Sequence, residues 1–491
     1  MNTTINELKQ PPILKLAFVT AMFERFGFYF LTFLIVLYLK SEYNFSDSAA
    51  FLMYGAFSAL AYLATAAGGY LADNIFGIRR CVISGLICEA IGLTMLGIPE
   101  KNLLPISLGL IIIGVGLFKT GPTHLLGRSY KENDPRIDSG FTLYYMGMNV
   151  GSFTTSLLAG VVQKYCGWHI AFLYGGIGIA AGLVAYLVLR KSAAPLDSTP
   201  GLKPLSIKIW TKMIVGIILA IGLGSFLVNN PSLAKYCIII TAVILAFYFS
   251  YEITRSPKHE KMKITACLIL IAMGLIFYIL YQQAYTSMVL FINRSVDRHF
   301  LGIDIPTVAY FGLNPFWVII LGPILASLYN YLHRHKKDVP ITVKFPLGLF
   351  VTCLCFVSLV VGAHLASAPD QVSSIWIVLA YLFYTAGEML VSALGPAMIT
   401  HIAPKRMYGV MMGTWFVVGM ALSSILGSMC ASIASVPDTL TDSTAILHIY
   451  SQAFTKFAAI SFIITLICFA VGPAINRMTK AKALETQTID A

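Results

Sequence analysis

The chain has 491 residues, 57% of them hydrophobic and 11% charged, with a mean hydropathy of +0.78 and a formal net charge of +12. Soluble domains carry about a quarter charged residues, so this composition excludes an ordinary soluble fold and indicates a polytopic membrane protein. Most Lys and Arg fall in short loops on alternate sides, where they set orientation and point to no nucleic acid or other acidic partner.

Residues 1–12 lack the charged n-region and cleavage site of a signal peptide, so the first apolar stretch is expected to stay as a span. A spanning helix needs about 20 mostly apolar residues, and fourteen stretches qualify. Six come first, at about 14–39, 49–72, 81–98, 104–126, 140–162 and 170–189. A polar linker from Arg190 to Lys208, broken by Pro195, Pro200, Gly201 and Pro204, leads to two more at about 209–228 and 233–253, joined by Asn229-Asn230-Pro231. Six others follow at about 264–291, 308–332, 345–365, 375–402, 410–432 and 449–471. The predicted domains are a six-helix bundle over 1–190, a linker and inserted hairpin over 191–262, and a second bundle with a cytoplasmic tail over 263–491.

Loop charges give the orientation independently. Arg79, Arg80, Arg128, Lys131, Arg190, Lys191, Lys258, Lys261, Lys336, Lys337, Lys405 and Arg406 fall on one side, which is therefore cytoplasmic, together with both termini. Only the loop after the ninth span departs from this, with Arg294 and Arg298 set against Asp297 and Asp304. The nine cysteines lie mostly within apolar segments and lack zinc or disulfide spacing, so they read as packing or lipid-facing residues.

Ionisable residues inside spans cost at least ~2.5–3.5 kcal/mol each and mark ion or substrate paths. Here they are Glu24 and Arg25 in the first span, Lys119 in the fourth and Glu388 in the twelfth, the fourth of the second half. Two halves with such residues point to a transporter whose substrate sits at the midplane. The hairpin carries no internal charge and is expected to flank the bundle.

The first span reads Phe23-Glu24-Arg25-Phe26-Gly27-Phe28-Tyr29. Successive helical side chains point about 100° apart, so Glu24 and Arg25 are predicted to reach different partners; the plainer reading is a structural ion pair. The second ends Gly68-Gly69-Tyr70-Leu71-Ala72-Asp73, then Gly77, Arg79 and Arg80, where glycines permit close helix approach and Asp73 can cap or dock on a neighbouring helix end. In the fourth, Gly114, Gly116, Gly121 and Pro122 loosen the helix around Lys119. In the fifth, Tyr145 and Asn149 are four residues apart and share a face; a structural interhelical hydrogen bond is the plainer role for Asn149.

Further strings are Phe141…Tyr145…Asn149…Gly151-Ser152, Leu313-Asn314-Pro315 before Pro323, Thr385-Ala386-Gly387-Glu388…Ser392, and Ala403-Pro404-Lys405-Arg406…Met412-Gly413-Thr414-Trp415-Phe416. Together these motifs resemble the proton-dependent oligopeptide transporter family of the major facilitator superfamily over nearly the whole chain. The string Phe311-Gly312-Leu313-Asn314-Pro315-Phe316-Trp317 looks most like its bacterial dipeptide and tripeptide permease branch. The resemblance implies an all-α membrane protein with the major facilitator fold, two six-helix bundles plus the inserted two-helix hairpin. It implies a monomeric carrier in the inner membrane that imports dipeptides and tripeptides with protons by alternating access and needs no cofactor or metal. By position, the peptide amino terminus would meet Asn149, Asn314 and Glu388, with Ser392 in the same motif, and the carboxylate would face Lys119. Tyr29, Tyr62 and Tyr145 match tyrosines that contact the peptide backbone, and Trp415 matches an aromatic lining residue; helix packing is the plainer reading of these four. Proton coupling would fall to Glu24, Arg25 and Glu388.

Four positions depart from the family pattern. Ala21 stands where a second first-span glutamate is usual, which leaves uniport or exchange of peptide-like solutes as the rival function. Thr32 and Gln282 stand where an Arg and a Glu often pair, and losing both members orphans no charge. Gly121 replaces an Asn, and the nearby His124 reads as a neutral imidazole hydrogen-bonded in the helix rather than a proton relay; Glu89 in the third span matches no family role. No HExxH, nucleophile–base pair or Cys/His cluster argues for an enzyme.

Overall fold

The computed structural model describes residues 9–489 apart from 132, 133, 135, 205, 301, 338, 367–370, 393, 394, 396, 397, 400 and 401, and it leaves out the side chains of 300 and 480–489. By contacts the chain divides into two units: Met1–Tyr38 with Leu60–Pro231, and Leu39–Ala59 with Ser232–Ala491. This division differs from the one expected from the sequence. The hairpin forms no separate piece, because its two helices join different units, and the start of the second helix groups with the second unit.

The first unit contains α1 (Ile13–Tyr43, up to Tyr38), the second part of α2 (Asp47–Leu71), α3 (Ile78–Leu96), α4 (Leu104–Phe118), α5 (Gly121–Arg128), α6 (Ile137–Cys166), α7 (Trp168–Leu189), the short α8 (Thr199–Leu202) and α9 (Ile207–Asn229). Without water in the bilayer core, helices satisfy their own backbone groups, and small residues let them approach closely. A methyl group added at Gly68 of α2 would fall 1.9 Å from the Gly116 carbonyl of α4, and one at Gly151 of α6 would fall 2.2 Å from the Met22 carbonyl of α1.

The C-terminal end of α2 winds into a π-helical turn, Ala72–Phe76, and Gly77 then turns the chain at φ +95°. Asp73 was expected to cap or dock on a neighbouring helix end; the cap of α3 comes from Asp197 of the linker. Its Oδ1 accepts from the backbone N–H groups of Ile78 (2.7 Å) and Arg79 (3.3 Å), capping α3. The turn at Gly77 aims those two donors at the linker, whose Gly201 Cα lies where a Gly77 side chain would be. Asp73 instead meets His124 Nδ1 of α5 at 3.3 Å, so His124 has a carboxylate partner rather than the helix backbone expected for it.

The second unit contains the first part of α2, α10 (Pro231–Arg255), α11 (Lys258–Tyr281), α12 (Ser287–Ser295), α13 (Leu313–Arg334), α14 (Ile341–His364), α15 (Ser374–Val391), α16 (Tyr408–Thr414), α17 (Ser423–Ala431) and α18 (Ser443–Ile489). Two expected spans are interrupted. A 3₁₀ turn, Gln282–Tyr285, separates α11 from α12, and a π-helical stretch, Trp415–Leu422, separates α16 from α17. Four two-residue strands lie between helices: β1 (Val296–Asp297) pairs in parallel with β4 (Val372–Ser373), and β2 (His299–Phe300) pairs antiparallel with β3 (Ile303–Asp304). Arg294 does not balance its neighbour Asp297; it forms a fork on Asp47 at 2.6 and 2.9 Å, and Lys40 joins the same carboxylate at 3.0 Å.

Twelve helices or helix runs among the described residues are long and apolar enough to cross a membrane. The third and fifth expected spans are also helical, as α3 and α6. α6 copes with its polar residues locally: Thr142, Asn149, Thr154 and Thr155 each donate to the carbonyl four residues earlier.

Candidate functional site

Each unit assembles its own polar cluster from residues inside apolar helices. In the first, Glu24 and Arg25 meet each other rather than different partners. The Arg25 guanidinium folds back as a fork, with Nε and Nη2 donating to the two Glu24 oxygens at 2.5 Å each. The arginine arm is long enough to cross the 100° between successive positions, and its planar donors match a carboxylate. Glu24 is 0% exposed, and the guanidinium lies 4.9 Å from the Phe28 ring centre and 5.8 Å from that of Tyr29. Tyr29 stacks on Phe33.

α4 stops at Phe118 and α5 begins at Gly121 with Pro122 in its first turn, leaving Lys119 in the break. The Gly68–Gly116 approach brings α2 alongside, and Lys119 Nζ sits 4.4 Å from the ring centre of Tyr62. No carboxylate among the described residues of this unit reaches ion-pair distance of Lys119. On α6, Tyr145 is 46% exposed, and Asn149 spends one amide hydrogen on the Tyr145 carbonyl at 2.9 Å. That bond is to its own helix, not the interhelical bond considered from the sequence. The preceding residue, Tyr144, is buried and faces Arg25 and Glu24 electrostatically, a contact its position beside Tyr145 did not signal.

In the second unit, Glu388 on α15 is held entirely by neutral donors. Asn314 Nδ2 donates to Oε2 at 2.6 Å and Tyr281 O–H donates to Oε1 at 3.2 Å. Asn314 also reaches Thr385 Oγ1 at 3.2 Å, one turn before Glu388. Tyr281 is stacked on Tyr384 with centres 4.7 Å apart, and the Tyr278 hydroxyl donates to Ser392 at 3.2 Å. No cation of this unit is among the charges acting on Glu388. Tyr281 was missed in the sequence because tyrosine is common in these helices; its place, one position before Gln282 and in the last turn of α11, was the available signal.

Trp415 is fully enclosed, packed against Tyr278 and into space left by Gly274 and Gly395, and its indole N–H has no hydrogen-bond partner among the described residues. Its position matches the packing role rather than an open lining. The neutral replacements are each satisfied: Thr32 donates to the Phe28 carbonyl, and buried Gln282 donates to Ser424 at 2.6 Å while accepting from Tyr54.

Comparison with known proteins decides the family. The model of the POT family matches residues 79–447. The chain belongs to the POT family. Dipeptide and tripeptide permease B of Salmonella typhimurium is 34% identical over 489 residues, which is 99% of this chain and 100% of that protein. Dipeptide and tripeptide permease A of Serratia proteamaculans is 32% identical over 488 residues, 99% of this chain and 96% of that one. Among solved structures, tetrameric PepTSo2 superposes with a TM-score of 0.86 at 31% identity over 95% of this chain and 99% of that chain. A bacterial homologue of the human drug peptide transporters PepT1 and PepT2 gives 0.85 at 30% identity over the same shares. This POT member is an all-α membrane protein with the major facilitator fold, a transporter and not an enzyme.

Proposed function

We propose that this POT member imports dipeptides and tripeptides together with protons, as a monomer in the inner membrane with both termini cytoplasmic. One observation carries the reading: among the described residues, the first unit holds a cation, Lys119, with no carboxylate at ion-pair distance, and the second holds an anion, Glu388, met by neutral donors. A peptide of variable side chain offers two constant groups, a carboxylate and an ammonium, and these are the complements of the two. Lys119 with Tyr62 would take the carboxylate; Glu388 with Asn314 and Asn149 would take the ammonium. Tyr29, Tyr145 and Ser392 are the further contacts proposed, and Trp415 backs the second cluster. The names of the permease relatives support the same substrate class.

Proton coupling is assigned to Glu24 with Arg25 and to Glu388, whose carboxyls change solvation as their partners move. A proton moving with the peptide gains about 2.3 kcal/mol per 100 mV, enough for roughly fifty-fold accumulation. Buried Ala21 in place of a carboxyl favours the rival, uniport or exchange without tight coupling. Uptake of labelled dialanine into proteoliposomes, with and without an inward proton gradient, separates the two. Accumulation only with the gradient is expected; equal uptake in both would replace symport by uniport or exchange.

A further inference from the structure

Glu89 takes no part in the clusters as described, yet it is the most anomalous side chain of the first unit. It sits mid-way along α3, 0% exposed, and neither carboxylate oxygen has a hydrogen-bond partner among the described residues. Its position is fixed by a close helix contact: a methyl group added at Gly114 of α4 would lie 2.4 Å from Glu89 Cγ, and one at Gly85 of α3 would lie 2.7 Å from the Gly114 carbonyl. That contact is five residues before Lys119 on the same segment.

The charges acting on Glu89 are Glu24 and Arg25 from α1 and Lys119 from the end of α4; on its own helix the neighbour is Cys88. Of the other titratable groups on the neighbouring helices, His124 of α5 meets Asp73, Tyr144 of α6 feels the charges of Arg25 and Glu24, and Tyr186 of α7 feels those of Arg79 and Asp197. Since Glu24 and Arg25 neutralise each other through a two-bond fork, the remaining charges are Lys119 and Glu89. The set is electroneutral with Glu89 ionised and carries one positive charge with Glu89 protonated.

We propose that Glu89 is a proton-binding site whose occupancy is linked to Lys119. An ionised carboxylate without hydrogen bonds in a low-dielectric interior is tolerable only while a cation compensates it. When Lys119 turns its charge to a peptide carboxylate, Glu89 loses that compensation and takes a proton from the side on which the peptide enters. When the peptide leaves, Lys119 again compensates Glu89 and the proton departs on the same side as the peptide. The site supplies, from a neighbouring helix, a second carboxyl in a unit whose first span has Ala21. The coupling part of this inference rests on the proposed peptide symport; the proton site itself does not.

The test uses the full chain reconstituted in lipid, wild type against Glu89→Gln and Glu89→Asp. Infrared difference spectra across a pH titration, without peptide, should show a carboxylic-acid carbonyl band that Glu89→Gln removes and Glu89→Asp shifts. An unchanged band in Glu89→Gln overturns the site, whatever the substrate proves to be. In proteoliposomes, Glu89→Gln should lose gradient-driven accumulation of dialanine, retain dialanine counterflow, and flatten the pH profile of uptake, with Glu89→Asp restoring part of it. Wild-type-like accumulation by Glu89→Gln overturns the linkage. A wild type that never accumulates dialanine refutes the symport reading instead, and the infrared comparison still decides the site. If Glu89→Gln fails to fold, Gly114→Ala, which presses on Glu89 Cγ, should shift the band, and an unmoved band counts against the site.

Discussion

The two polar clusters solve the same problem, a charge inside apolar helices, in opposite ways. The first unit answers charge with charge and ring: Arg25 forks onto Glu24 and stacks near Phe28 and Tyr29, while Lys119 rests on Tyr62. The second answers with dipoles alone, Asn314 and Tyr281 donating to Glu388. Neutral donors satisfy lone pairs without cancelling charge, so an ionised Glu388 would stay available to the cationic ligand group proposed for it. A ring face stabilises an ammonium but leaves its hydrogen-bond donors available, so Lys119 remains open to a carboxylate. The contrast teaches that charge type and charge availability are separate properties, and the neighbours set the second.

The largest effect expected from this contrast is at Lys119. Lys119→Ala should weaken peptide binding by about 2–5 kcal/mol, roughly thirty-fold or more, and abolish driven uptake while the thermal melt of the purified protein stays near that of the wild type. Competition with a C-terminally amidated dipeptide sharpens this, since that ligand lacks the carboxylate and should bind wild type and variant alike. Normal accumulation by Lys119→Ala would break the assignment of the first cluster.

Asn314→Ala comes next. It removes the 2.6 Å donor from Glu388, a hydrogen bond to a charged group worth about 1.5–3 kcal/mol. Competition binding should show a loss of roughly tenfold to a hundredfold for free dipeptides and almost none for N-acetylated ones. Equal losses for both would mean that Asn314 acts through packing.

Gly68→Ala tests whether helix approach, rather than side-chain chemistry, brings Lys119 to Tyr62. The added methyl would fall 1.9 Å from the Gly116 carbonyl, and overpacking of this kind costs about 1–3 kcal/mol. A lower melting temperature together with weakened binding is expected; a lower melting temperature with unchanged binding would uncouple that approach from the site. Tyr281→Phe is the mildest change: its 3.2 Å bond to the same Glu388 carboxylate is longer than that of Asn314 and falls at the low end of the range for a bond to a charged group, about 1.5 kcal/mol, so a loss of roughly tenfold at most is expected in the same competition assay. A loss as large as that of Asn314→Ala would show that the Tyr281–Tyr384 stack positions Glu388 as well.

Much of the fold was legible because the bilayer imposes a length and a composition that can be counted. The twelve strongly apolar spans need only that count. α3 and α6, counted in the sequence by the same reading, lie outside those twelve, and they carry polar cargo, Glu89 in one and Tyr145 and Asn149 in the other. The breaks at Lys119 and around Trp415 differ in the same respect. Pro122 announces the first, whereas nothing in Trp415–Leu422 announces a π-helix, which depends on packing against α11.

The sequence by itself determined which segments cross the membrane and which charges they contain, because hydrophobic length and the cost of an intramembrane charge are local properties read one residue at a time. The tertiary structure decided who answers each charge: that Arg25 turns back onto Glu24, that Asp197 caps α3, that Asn314 and Tyr281 hold Glu388, and that Glu89 finds no hydrogen-bond partner among the described residues. Helical periodicity assigns a side chain to a face. The partner across that face is set by how closely two helices approach and how far a side chain reaches, and neither distance is written in the spacing of residues along one strand of sequence.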